Sequence, residues 1–201
     1  MGNEQAIRAF LAIEPPGEVR QALDNIQNSL KRSCPFDIRW VKPAAVHLTL
    51  KFLGDITEKD VAALSPVAQE CAAQTAPLQL AVRKLGVFPS PKRPRVLWIG
   101  LEGDIKPLLA LQQNLEEGLE NCGFARETRP FQPHLTMGRI KSSRTSGDPA
   151  RFLARGNDCT AGSFCARSLV LFKSDLRPQG AVYTDLASFP FRGDRNHNFL
   201  P

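Results

Sequence analysis

The stretch "VHLTLKFLG", residues 46–54, decides how this chain is read. Val46, Leu48, Leu50 and Phe52 alternate with His47, Thr49 and Lys51, the period-2 pattern of a strand with one face in a core. The open face of that strand begins with a histidine and a threonine. Residues 133–140, "PHLTMGRI", repeat the triplet as His134-Leu135-Thr136. Side chains two apart on a strand share a face, so each triplet sets an imidazole beside a hydroxyl on a rigid platform.

The pattern outward from these strands fits an α+β chain. "AIRAFLAI" (6–13) alternates as a strand, with Arg8, Phe10 and Ala12 opposite Ile7, Ala9, Leu11 and Ile13. Pro15 and Pro16 suit a helix start, and Val19, Leu23, Ile26 and Leu30 predict a helix over 17–31. Strands follow at 37–41 and 46–54, joined by a turn at 42–45. Thr57 with Asp60 resembles a capping box and opens a second helix that ends near Gln74. Residues 77–89 and 94–101 read as a hairpin with a basic tip, Ser90-Pro91-Lys92-Arg93. Leu108, Leu111, Leu115 and Leu119 mark a third helix over 105–121, stopped by Gly123. Residues 141–148 read as a mobile loop, followed by a short helix at 149–155. Strands at 160–165, 168–173 and 180–188 close the fold, and the tail from about 192 is expected to be loosely held. Most links between strands are too short for parallel crossovers, so the sheets should be mainly antiparallel. The coarse element order recurs in both halves, but self-similarity is weak outside the two His-Leu-Thr strands, so internal duplication is a hypothesis at this point.

The net charge of +6 and pI near 9.3 lean toward a polyanionic partner. The N-terminus makes a poor signal peptide and no apolar run is long enough to span a membrane, so the chain reads as cytoplasmic. Five cysteines without a C-x-x-C pair point away from a disulfide framework or a zinc site.

Two imidazoles and two hydroxyls facing one another suit a phosphodiester. One neutral histidine takes a proton from water while a protonated one opposite gives a proton to the leaving oxygen. The threonines donate hydrogen bonds to the non-bridging oxygens. One histidine on a strand is commonplace, but two of the chain's three occur in the same triplet. Metal ligation is the rival reading. Threonine is a poor zinc ligand, and neither triplet has a carboxylate or cysteine at ligand spacing.

"HLTL" and "HLTM" resemble the paired signatures of the two-histidine phosphoesterases. "RAFLAI", "VHLTLKFLG", "GVFPSPKRPRVLWIGL" and "FQPHLTMGR" are similar, more closely, to the RNA 2',3'-cyclic phosphodiesterases, also called 2'-5' RNA ligases. The second signature carries Met137-Gly138 where relatives often have leucine and alanine. The resemblance implies one bilobed α+β domain over 1–201, with two mainly antiparallel sheets each backed by helices and pseudo-twofold duplicated halves around a central cleft. It implies hydrolysis of RNA 2',3'-cyclic phosphate ends without metal or nucleotide cofactor. The expected partners are such RNA ends, tRNA fragments among them, or related nucleotides, and the chain is expected to act as a monomer. His47 would be the proton donor and His134 the acceptor, roles that the residues alone leave open. Sister activities are a 2'-5' ligase, a 2',5'-phosphodiesterase, or an RNA-end binding module without turnover.

Further substrate-binding candidates surround the triplets. Lys51 shares the His47 face by alternation. Arg139 is a candidate phosphate ligand, although strict alternation turns it away from His134 unless the strand bends at Gly138. Phe131 and Trp40 are candidates to stack on a base, with core packing the better reading of Trp40. Arg126, Arg129 and the basic hairpin tip with Arg95 read as solvated charges or backbone contacts.

Overall fold

The computed structural model describes residues 6–145, 148–177 and 180–194, excepting the side chains of 142–145. Strand β1 (Ile7–Ile13) leads through the two prolines into helix α1 (Gly17–Lys31). Strand β2 (Phe36–Trp40) is joined to β3 (Leu48–Ile56) by a 3-10 turn at Pro43–Ala45. The expected capping box opens α2 (Glu58–Gln74): the Asp60 carboxylate accepts from the Thr57 amide at 2.7 Å, and the Thr57 hydroxyl accepts from the Asp60 amide at 3.3 Å. The hairpin is β4 (Leu78–Phe88) and β5 (Val96–Gly103), followed by α3 (Ile105–Glu120), whose four periodic leucines are all buried. Strand β6 (His134–Thr145), α4 (Pro149–Arg155), β7 (Thr160–Ala166), β8 (Ser168–Arg177) and β9 (Gly180–Pro190) complete the order.

Two sheets result, with strand orders β3-β1-β8-β9 and β2-β6-β5-β4-β7, and every pairing is antiparallel. The two-sheet α+β architecture expected from the sequence is the one found. One large hydrophobic core takes residues from both sheets and from the first three helices, among them Leu11, Leu23, Leu48, Leu64, Leu97, Leu115 and Leu135. A smaller cluster of Phe10, Ala12, Val170 and Phe172 lies on the other face of the first sheet.

One segment differs from expectation. Residues 141–145 are strand rather than loop, because β6 continues along β2 until Thr145 faces Phe36, and residues 146–147 of that expected loop lie outside the described chain. After β9 the chain is held through Phe191, whose amide donates to Arg167 O at 2.8 Å, and Gly193, whose amide donates to Thr75 O at 3.0 Å. A Cβ at residue 193 would sit 2.4 Å from the Gln74 carbonyl, so glycine permits this contact. Residues 195–201, with His197, lie outside the described chain.

The pairing of β1 with β3 and of β5 with β6 contains the same irregularity. Leu11 faces Lys51 and Ala12 faces Thr49, so Leu50 is an extra residue in β3. Leu97 faces Gly138 and Trp98 faces Thr136, so Met137 is an extra residue in β6. A β-bulge thus follows each His-Leu-Thr triplet directly, and it inverts the alternation beyond that point.

Candidate active site

His47 immediately precedes β3 and His134 opens β6, and both rings are anchored alike. His47 Nδ1 lies 3.0 Å from the Ala45 carbonyl, and His134 Nδ1 lies 2.7 Å from the Gln132 carbonyl. A carbonyl oxygen only accepts, so Nδ1 is the protonated nitrogen of each neutral ring, and Nε2 is left for proton transfer. The partner in each case is the residue two positions earlier. Identical local geometry therefore fixes the same tautomer in both halves.

The walls around the two rings are aromatic. His47 stacks on Phe10 with centroids 4.5 Å apart and meets the edge of Tyr183 at 5.0 Å. Phe172 stacks on Phe10 at 5.3 Å and lies 6.3 Å from His47. His134 meets Phe88 edge-on at 4.8 Å and lies 6.2 Å from Trp98. A Cβ at Gly86 would overlap the indole at 2.2 Å, so the bare glycine is what admits Trp98 there.

Burial pushes the pKa of His47 down to about 4; the Ala45 carbonyl opposes this, while the charges of Arg20 and His134 add to it. His134 is also lowered, again chiefly by burial and against the pull of the Gln132 carbonyl. A cleft of about 400 Å³ is lined by His47 and Thr49 from one sheet and by Thr136 and Arg139 from the other, while His134 stands two residues before Thr136 and is not among the lining residues.

The bulges settle the fate of the residues after each triplet. Lys51 does not share the His47 face: it is 5% exposed and points into the interior. Its ammonium donates to the Glu116 carboxylate on α3 at 2.5 Å and to Ala125 O at 2.6 Å. Glu116 also accepts from the Glu127 amide at 3.2 Å and from Gln112 at 3.1 Å. Alternation sends Lys51 outward only if β3 is regular, and Leu50 breaks it. Phe52, expected in the core, is instead 69% exposed on the cleft side and 6.2 Å from Phe10. In β6 the same inversion brings Arg139 into the cleft lining, where strict alternation had turned it away. Phe131 packs against the core and is not among the cleft-lining residues. Trp40 packs against the core, lies under the Lys31 ammonium at 5.9 Å, and also borders the cleft. Arg126 and Arg129 pair with Glu120 and Glu127 at the surface.

Several site residues carried no weight in the sequence reading, among them Arg8, Phe10, Arg39, Phe172 and Tyr183. Arg8 and Phe10 had a visible sign: they occupy the face of β1 opposite its core residues.

Two platforms of histidine and threonine, equivalent in register and one in each sheet, are the arrangement of a phosphoesterase with duplicated halves. The chain belongs to the LigT-like phosphoesterase family, whose model matches it twice, over residues 13–98 and 99–183. It is 33% identical over 183 residues to the RNA 2',3'-cyclic phosphodiesterase of Methanothermobacter thermautotrophicus, covering 91% of this chain and 98% of that protein. The enzyme of the same name from Archaeoglobus fulgidus is 31% identical, with 91% and 99% covered. Among solved structures, a Thermus thermophilus protein superposes with a TM-score of 0.77 at 29% identity, covering 94% of this chain and 100% of that one. Escherichia coli LigT complexed with 3'-AMP gives a TM-score of 0.76 at 25% identity, with 93% and 99% covered.

Proposed function

We propose that the chain hydrolyses the 2',3'-cyclic phosphodiester at RNA ends, tRNA fragments included, to a 2'-phosphomonoester, acting as a monomer without a metal. The observation that carries this reading is the duplicated anchor: each triplet has its ring fixed through Nδ1 to the carbonyl two residues earlier and a bulge directly after its threonine. In the reaction, His134 Nε2 takes a proton from water as the oxygen attacks phosphorus. The bond from phosphorus to O3' breaks, and His47 Nε2 delivers a proton to the departing O3'. Thr49 and Thr136 donate to the non-bridging oxygens, and Arg139 balances their charge. Phe52 offers a face on which the terminal base stacks.

A proton donor must be charged before it acts, and burial disfavours charge on His47. A bound phosphodiester supplies the missing counter-charge. Substrate therefore loads the acid by raising its pKa, and the resulting imidazolium is well placed to give up the proton once the phosphate moves toward products.

The test is hydrolysis of an oligoribonucleotide with a cyclic phosphate end, followed by identification of the phosphate position. Conversion to the 2'-phosphate in the presence of chelator is expected, with His47→Ala and His134→Ala each reduced by about 10²–10⁴-fold. Full activity in either variant overturns the reading. Offering a 2'-5' linkage and a 5'-hydroxyl acceptor in parallel separates the 2',5'-phosphodiesterase and ligase activities. Intact cyclic ends after prolonged incubation identify a binding module.

A further inference from the structure

The cleft lining includes Arg8, Arg39, Lys42 and Arg139, and among the described residues it has no carboxylate. Arg39 on β2 and Arg139 on β6 are direct cross-strand partners. Like charges in that relation are destabilising. The next pair outward on the same face obeys the opposite rule, with Lys141 and Asp37 in an ion pair at 3.4 Å. Exposed cations elsewhere also take carboxylates, as in Lys84 with Glu102 and Arg126 with Glu120. Neither Arg39 nor Arg139 has a carboxylate within ion-pair distance among the described residues.

The backbone is shaped to make this repulsive pair. The bulge at Met137 turns Arg139 to the cleft, and Gly138 beside it lets β2 approach closely. A Cβ at Gly138 would meet Ile38 Cγ2 at 2.4 Å and the Arg39 carbonyl at 3.2 Å. Along β5, Thr136 faces Trp98 and Arg139 faces Val96, two residues away. That places Arg139 about 7 Å beyond Thr136, and Arg39 about 5 Å further across the sheet. The paired guanidiniums thus flank a position next to the one held by the threonines.

We infer that Arg39, held beside the Arg139 that balances the terminal phosphate, forms a second phosphate subsite, which takes the phosphodiester linking the terminal nucleoside to its neighbour. The subsite makes the enzyme a reader of RNA chains rather than of cyclic mononucleotides. It rests on the proposed reaction for the placement of the terminal phosphate, which one guanidinium can balance and which leaves the charge of the second unmatched.

The test compares dinucleotides ending in a 2',3'-cyclic phosphate, joined either by the natural linkage or by a neutral methylphosphonate. With the full chain, kcat/KM should favour the charged linkage by about tenfold or more. Arg39→Gln should bring the ratio close to one, and Arg39→Lys should restore part of it. Equal use of both linkages by the unmodified protein overturns the inference, as does an Arg39→Gln variant that slows both substrates by the same factor. A cyclic mononucleotide carrying a 5'-phosphate forms the third arm. If it gains as much as the dinucleotide, the assignment to the RNA linkage falls. Calorimetric binding of the corresponding dinucleotide 2'-phosphates reads the same ratio without turnover. A protein that discriminates in binding but hydrolyses nothing upholds the subsite and overturns the hydrolase reading; one that hydrolyses without discriminating does the reverse.

Discussion

At the scale of single residues, the pH behaviour follows from the environment of His47. Its folded pKa of about 4 is below the ordinary value of 6.5, so between these limits the unfolded chain binds a proton that the folded one refuses. The contribution of His47 to stability is therefore complete above pH 6.5 and lost as pH falls toward 4, with a slope of about 1.4 kcal/mol per pH unit. Denaturant titrations across this window should show a shallower pH dependence for His47→Gln than for the unmodified protein. Catalysis should respond in a related way. The ratio kcat/KM reports the free enzyme and kcat the loaded one, and a bound anion raises both imidazoles. The optimum for kcat should consequently lie at higher pH than that for kcat/KM, which paired rate profiles check. Thr49→Val and Thr136→Val each remove one donor to the phosphate oxygens, for an expected loss of about 10²–10³ in kcat under saturating substrate.

Secondary-structure elements show where the sequence could be read and where it could not. The triplets were legible because a period of two is enough to pair an imidazole with a hydroxyl, and because the pairing occurs twice. Helix bounds followed from the Thr57–Asp60 cap and the leucine spacing of α3. The bulges were invisible: Leu50 and Met137 are ordinary apolar residues, and only the partner strand reveals them as supernumerary. Everything beyond them inherited an inverted face, which is why Lys51 and Phe52 exchanged places relative to a regular strand. The buried Lys51–Glu116 pair that results joins β3 to α3 and, through Ala125 O and the Glu127 amide, to the segment that leads to His134. Removing one member strands the other, so Lys51→Met should cost about 3–5 kcal/mol in chemical denaturation. Replacing both, as Lys51→Met with Glu116→Leu, should recover most of that. Gly86→Ala tests a different contact. Its methyl group would overlap the Trp98 ring beside His134, and overpacking of this kind should lower stability by about 1–3 kcal/mol in the same assay.

Across the whole molecule, the excess positive charge has a location. The cleft collects Arg8, Arg39, Lys42 and Arg139 without a lining carboxylate among the described residues, while many outer cations are matched. Duplication is equally concrete, since the family model matches twice and the same bulge recurs at the same register. The lobes nevertheless do not coincide with the halves. Strands β1 and β3 share a sheet with β8 and β9, and β4 lies between β5 and β7.

This interlacing governs what happens if the backbone is severed. Lys92 and Arg93 stand exposed at the tip between β4 and β5. A trypsin nick there would yield two polypeptides, yet both sheets would still be woven from both pieces. The nicked protein should migrate intact on a sizing column and come apart only in denaturant, its pieces held like the fingers of clasped hands.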